Sequence, residues 1–206
     1  MTVLARVALV LIWTLLPADV ALPQEMEEIE HERKLRDLEQ LVDTRLAGTA
    51  ARARALTEQA ERAIRGASLR PECEKPPTPA DFDVVTAELS AALDSNALRL
   101  KREERAYEER LREYEAYRAS DSRKIDMYFA IRLQRVNVLD LRSKERNVIA
   151  IADSYRKTMP KTTATVEIAR CLARYRAGGG EVADSLSAAL VRLFKDYRGM
   201  LYIVQH

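Results

Sequence analysis

The chain of 206 residues has few of the side chains that usually build active sites or metal centres. It contains only two histidines, His31 and His206, which leaves little for a His-based nucleophilic triad or a multi-histidine metal site. Glu28 and His31 have the spacing found in carboxylate-bridged di-iron helices, but without a second such pair we interpret them as a solvated surface pair. Gly178–Gly180 is not followed by the Lys-Ser or Lys-Thr of a phosphate-binding loop. The sequence therefore predicts a non-enzyme without cofactor or metal.

An excess of charge of one sign is also missing. The chain has 34 Lys and Arg against 32 Asp and Glu, a net charge of +2. Both signs are mixed along every segment, so there is no basic stripe of the kind that binds nucleic acid. This mixture is typical of solvated helix faces, and it predicts that nucleic acid is not a partner.

No apolar run is long enough to span a bilayer, which takes about 20 residues. The longest, Val7–Leu16, follows Arg6 and ends at Pro17, which is the pattern of a secretory signal peptide. Residues 1–21 are therefore predicted to be a signal peptide, and the protein is predicted to be exported to the periplasm or cell envelope. An uncleaved N-terminal anchor, with membrane contact through this segment, is the alternative.

Cysteine is scarce, with Cys73 and Cys171 as the two present. In a chain bound for an oxidising compartment, such a pair predicts one disulfide, which would close a loop of about 98 residues. Two unrelated thiols are the alternative, because one pair carries no spacing signature.

Beyond the signal, proline is concentrated in one short segment, and apolar residues recur at steps of three and four. This periodicity predicts an all-α fold of long antiparallel helical hairpins or a coiled-coil bundle, as a single elongated domain over residues 24–206. The predicted helices span about residues 24–70, 81–119, 123–158, 162–177 and 181–205, with a proline-rich loop at 71–80.

Three breaks organise these helices. Pro160 is predicted to end the helix that begins at residue 123, and Gly178, Gly179 and Gly180 are predicted to form an inter-helix joint. A reversal near Asp121 would bring Cys171 back towards Cys73. Residues 130–141 also alternate like a strand, but helix is preferred because the Lys, Glu and Arg content continues smoothly beyond them.

The C-terminal 40 residues resemble the helix-to-helix segment of TolC-like outer-membrane efflux proteins. The matching residues are Val166–Arg170, Arg174-Tyr175-Arg176-Ala177-Gly178, Asp184-Ser185-Leu186-Ser187-Ala188, Leu193 and Tyr197. The resemblance implies an exported, trimeric α-helical tunnel continuous with an outer-membrane barrel, with Gly178 as the joint between helices. This chain is about half the length expected of that family, and residues 130–141 are its one strand-like candidate.

The apolar stripes are narrow, rich in alanine in places and interrupted by charge, which suits helix–helix association better than a sealed core. The leading hypothesis is therefore an exported coiled-coil protein that acts through protein–protein interaction, as an envelope adaptor, assembly factor or structural factor. Its partners would be other envelope proteins or further copies of itself. A short TolC-like outer-membrane efflux or secretion component is the alternative.

Overall fold

A computed structural model describes residues 18–65, 67–117, 123–176 and 178–206, with side chains from residue 28 onward. In these ranges it contains helices and no strand, which confirms the predicted all-α fold. The helices are α1 (Ala18–Ile64), α2 (Pro71–Glu74), α3 (Ala80–Ala116), α4 (Arg123–Ala173) and α5 (Gly179–Gln205). Residues 1–17, most of the predicted signal peptide, lie outside the described part. The chain divides into two compact units, residues 1–38 and residues 39–206.

Helix α4 is the element against which α3 and α5 pack, and both run antiparallel to it. The Phe82 ring of α3 lies 5.6 Å from that of Tyr155, while further along the pair Tyr114 lies 6.4 Å from Tyr128. On α5, the Tyr197 hydroxyl lies 3.0 Å from that of Ser154. These two pairings are the long antiparallel helical hairpins that the sequence predicts.

The second half of α1 packs on α4 in the opposite sense, parallel to it. Glu39 accepts a hydrogen bond of 2.6 Å from Arg146, and the Thr57 hydroxyl lies 3.0 Å from that of Thr162. Residue numbers therefore increase in the same direction along both helices. The side chains that α1 buries are small for the most part, so this contact removes little apolar area from water.

The clearest core stripe lies on α5, where the apolar positions predicted to form a stripe are buried except for Val182, which is exposed. Full burial of such a side chain contributes about 1.5–3 kcal/mol, so this stripe is a main source of stability. The buried members of the stripe are Leu186, Leu190, Leu193, Tyr197, Leu201 and Val204.

Tyr155 lies at the centre of the bundle, where α3, α4 and α5 meet. Its ring contacts those of Phe82 and Tyr197, and its hydroxyl donates a hydrogen bond of 3.0 Å to the Phe82 carbonyl. Burial raises the pKa of the Tyr155 hydroxyl to about 12, and the nearby negative charge of Asp83 acts in the same direction.

The predicted helix end at Pro160 is wrong, because α4 runs from Arg123 to Ala173 and contains Pro160. It includes residues 123–158 and most of the predicted helix 162–177. Pro160 and Arg156 are both exposed, so water can reach the Arg156 carbonyl that lacks a partner N–H. Met159, Thr163 and Val166 are buried and hold the two halves of α4 in the same core. Tertiary packing thus overrides the local preference of proline.

Other helix bounds differ by a few residues. Helix α1 ends at Ile64 rather than at residue 70, and α5 begins at Gly179 rather than at residue 181. The predicted loop at 71–80 is wrong in part because it contains α2. Pro71 begins that helix, where the absence of an N–H breaks no hydrogen bond.

Two other expectations concern the α3–α4 hairpin. Residues 130–141 are helical, so the strand alternative is wrong. The predicted reversal near Asp121 lies outside the described residues, but α3 and α4 pair antiparallel on either side of it.

Candidate helix-binding face

One part of the α3–α4 hairpin extends past the end of α5. Tyr197 of α5 lies beside Ser154 of α4. Because both helices rise about 1.5 Å per residue, Gln205 at the end of α5 reaches about the level of residue 146. The Glu39 contact of α1 lies at the same level. Among the described residues of the unit 39–206, α3 and α4 alone continue beyond this level, and we call this part the distal hairpin (96–116 and 123–145).

The inner side of the distal hairpin has a small core of its own. Leu100 of α3 packs with Val138 and Leu141 of α4, and Tyr107 covers the cluster. At its edge Arg142 donates two hydrogen bonds, of 2.8 and 2.9 Å, to one carboxylate oxygen of Glu104. The two helices are therefore held together without help from α5.

The opposite side of α4 is apolar as well, and it is exposed. Ile125, Phe129 and Leu133 retain 58%, 37% and 67% of their accessible surface. They are spaced by four residues and therefore form one stripe on the helix. Phe129 and the buried Val138 are nine residues apart, which is 180° at 3.6 residues per turn. We call the stripe of Ile125, Phe129 and Leu133 the outer face.

The outer face points in the direction in which α1 packs further along α4. Ser143 is 18 residues, or five full turns, beyond Ile125 and so projects from the same side of the helix. Its hydroxyl donates a hydrogen bond of 3.2 Å to Glu39 of α1. One side of α4 therefore binds a helix from Ser143 onward and presents apolar side chains to solvent at residues 125–133.

Stacked cations and rings surround the end of the distal hairpin. Lys124 lies 4.8 Å from the centre of the Tyr114 ring, and Arg132 lies 5.8 Å from that of Tyr128. The Lys124 ammonium also donates a hydrogen bond of 3.1 Å to the Tyr117 carbonyl of α3. These contacts stabilise the first turns of α4, so the outer face is carried by an ordered helix.

The predicted disulfide residues lie at the other end of α4. Cys73 of α2 and Cys171 of α4 are at disulfide distance, with 2.02 Å between the sulfurs and 5.6 Å between the Cα atoms. Nearby, the Arg70 guanidinium lies 4.2 Å from the centre of the Tyr175 ring. Both contacts attach the segment between α1 and α3 to the end of α4.

The three predicted joint glycines lie where α4 turns into α5. Gly178 has a φ of 73°, in the left-handed region that glycine adopts without strain. Gly179 is buried, and a Cβ added there would lie 1.8 Å from the Ala173 carbonyl oxygen. An added Cβ on Gly180 would meet nothing within 4 Å. The joint therefore depends on Gly178 and Gly179, and it is close-packed.

The outer face was missed in the sequence prediction, although a signal for it was present. The buried Val138 marks the apolar side of α4 that faces α3. The spacing by four of Ile125, Phe129 and Leu133 is a second stripe on the same helix, and a helix with two apolar sides has two surfaces to cover.

No chemical centre accompanies this surface in the described residues. They contain no group of three or more His, Cys, Asp and Glu side chains placed to hold a metal ion. Within the same ranges, no helix combines the length and apolarity that crossing a membrane requires.

Comparisons with protein-family models, curated proteins and solved structures return no match. The resemblance of the C-terminal segment to TolC-like proteins therefore stays a prediction.

Proposed function

We propose that the protein is an exported helical coiled-coil protein that acts by helix–helix association, as an assembly or structural factor of the cell envelope. The observation that carries this proposal is the outer face of the distal hairpin. Its three large apolar side chains are exposed on a helix whose opposite side is already packed against α3.

The energetics of this face favour reversible association. Full burial of an apolar side chain of this size contributes about 1.5–3 kcal/mol. Covering the area that Ile125, Phe129 and Leu133 still expose would supply about 2–5 kcal/mol in all. That contribution corresponds to a factor of roughly 30 to 4,000 in an equilibrium constant, which suits a contact that forms and dissociates during assembly.

Two features support export. The apolar run at Val7–Leu16 has the form of a signal peptide, and Cys73 and Cys171 are at disulfide distance. Disulfides persist in oxidising compartments such as the periplasm.

The export proposal is tested by fractionating expressing cells and sequencing the mature N-terminus by mass spectrometry. We expect the protein in the envelope fraction, cleaved near residue 21. An uncleaved chain confined to the cytoplasm would refute this part.

The binding role is tested with a photo-crosslinking amino acid at Leu133 of the full chain, in cells that naturally produce it. The matched control is Leu98 on α3, which is equally exposed at 69% but lies outside the outer face. We expect discrete adducts from position 133 that are absent from position 98 and disappear when Phe129→Glu is added. Equal labelling at both positions would contradict a role for the outer face.

A further inference from the structure

We propose that Cys171 is an exchange site for low-molecular-weight thiols, at which the bond to Cys73 opens and re-forms while the helical bundle stays folded. Cys171 lies near the end of α4 that is far from the outer face, so this inference does not rest on the proposed function. It follows from the different accessibility of the two cysteines.

The two cysteines differ in how far a dissolved reagent can reach them. Cys73 retains 0% of its accessible surface, although Pro71, Glu72 and Glu74 beside it on α2 are exposed. Cys171 remains partly exposed. Because a thiolate must contact the sulfur that it attacks, exchange with a dissolved thiol takes place at Cys171.

The opening step needs the thiol as its sole co-reactant. The attacking thiolate forms a new bond to the Sγ atom of Cys171, the bond between Cys171 and Cys73 breaks, and its electron pair passes to the Cys73 Sγ atom. Cys73 then takes up a proton from water. The products are a mixed disulfide on Cys171 and a neutral thiol at Cys73. A neutral thiol is stable in a buried position because it behaves as a small apolar group.

The closing step reverses this reaction without an added oxidant. The Cα atoms of Cys73 and Cys171 are 5.6 Å apart, so Cys73 is already beside the mixed disulfide. The Cys73 thiol loses its proton to water and attacks the Cys171 Sγ atom, and the bound thiol leaves as a thiolate. Attachment to the same fold gives Cys73 a high effective concentration at Cys171, which favours closing over a second exchange with dissolved thiol.

The exchange leaves the core of the bundle in place. Cys73 is the buried residue of α2, whereas α3 and α5 pack on α4 through other side chains. The Phe82 ring contacts that of Tyr155, and the Tyr197 hydroxyl lies 3.0 Å from that of Ser154. Opening the bond between the two sulfurs therefore breaks neither of these contacts.

Single-cysteine variants of the full chain test which cysteine is accessible. Cys73→Ser keeps Cys171, and Cys171→Ser keeps Cys73. With oxidised glutathione under native conditions, mass spectrometry should show the mixed disulfide forming about tenfold faster or more on Cys171, because a buried cysteine reacts only through a local opening. Both variants lack the bond, so its loss does not explain a difference between them.

Unfolded protein is the control for this comparison. In urea above the unfolding transition the two rates should agree within about threefold, since neither cysteine is then covered. Equal rates in the native protein, or a faster reaction of Cys73, would overturn the inference.

Re-forming the bond in the reduced wild type tests the role of Cys171 independently. The bond should form in oxidised glutathione at a rate within about threefold of the rate at which Cys73→Ser is labelled, because both reactions begin with the same attack by Cys171. Peptide mapping after an acid quench should place the mixed disulfide on Cys171. Bond formation that is slower by about tenfold or more, as expected if oxidation requires unfolding, would contradict exchange in the folded protein. A mixed disulfide found mainly on Cys73 would contradict the assignment of the site.

Discussion

Breaking the bond between Cys73 and Cys171 is expected to lower the free energy of unfolding by about 4.7 kcal/mol. The two residues are 98 positions apart, so the bond closes a loop that contains α3 and most of α4. In the chain-entropy treatment, a loop of this length restricts the unfolded chain by about 4.7 kcal/mol at 25 °C. For a chain of this size the melting temperature should fall by about 10–20 °C.

The comparison of oxidised with reduced protein isolates this effect. Both forms have the same side chains, so packing around the buried Cys73 changes little while the constraint on the unfolded chain is lost. Urea denaturation followed by far-ultraviolet circular dichroism gives the free energy and the m-value of each form. The reduced form should also have the larger m-value, because its unfolded state is more expanded.

A second variant guards against incomplete reduction or an effect of the reductant. Cys73→Ala with Cys171→Ala removes the bond chemically and should lie within about 1 kcal/mol of the reduced wild type. This margin allows for the small cavity left by two truncated sulfurs. A difference between oxidised and reduced protein below 1 kcal/mol would refute the reasoning, since it would mean that the loop does not restrict the unfolded chain.

Three further substitutions test individual features of the fold. Gly179→Ala should destabilise the protein by about 2 kcal/mol or more in urea denaturation, because its Cβ would meet the backbone of α4. Gly180→Ala, where an added Cβ meets nothing, should be neutral or stabilising. Equal effects of the two substitutions would contradict the close packing of the joint. Pro160→Ala should raise the free energy of unfolding by about 2 kcal/mol, as it restores a helical N–H at an exposed position; a loss of stability would show that the proline is needed in α4. Because burial raises the pKa of Tyr155 to about 12, the stability that its neutral hydroxyl contributes is fully present below pH 10 and is lost as the pH rises towards 12. Tyr155→Phe should therefore flatten the fall in stability over that range. An unchanged alkaline profile would argue against burial as the cause.

The helices could be predicted because their evidence is local and repeated. The α5 stripe through Leu186, Leu193 and Tyr197 recurs at steps of three and four over its whole length, and all three side chains are buried. The disulfide could be predicted because the chain has two cysteines and is expected in an oxidising compartment. Neither prediction requires knowing which helices pack against each other.

What could not be predicted depends on contacts between distant parts of the chain. The helix continues through Pro160 because Met159 and Val166 are buried in the core, and that burial is not visible in the local sequence. The direction of α1 relative to α4 follows from the contact between the Thr57 and Thr162 hydroxyls and from the hydrogen bonds that Glu39 accepts from α4. Such single polar contacts do not recur along the sequence with a helical period. The outer face could not be predicted, because only the position of α3 shows which of the two apolar sides of α4 is left uncovered.

The parallel pairing of α1 with α4 has a consequence for the timing of folding. Thr57 and its partner Thr162 are 105 residues apart, whereas each antiparallel hairpin joins consecutive helices. At about 5–20 residues per second, roughly 5 to 20 s of synthesis separate the emergence of the two threonines. Helix α1 is synthesised first, and its alanine-rich side stays uncovered until α4 has been made. A delay in translation or export that lengthens this interval should therefore favour binding by a chaperone or degradation by proteases.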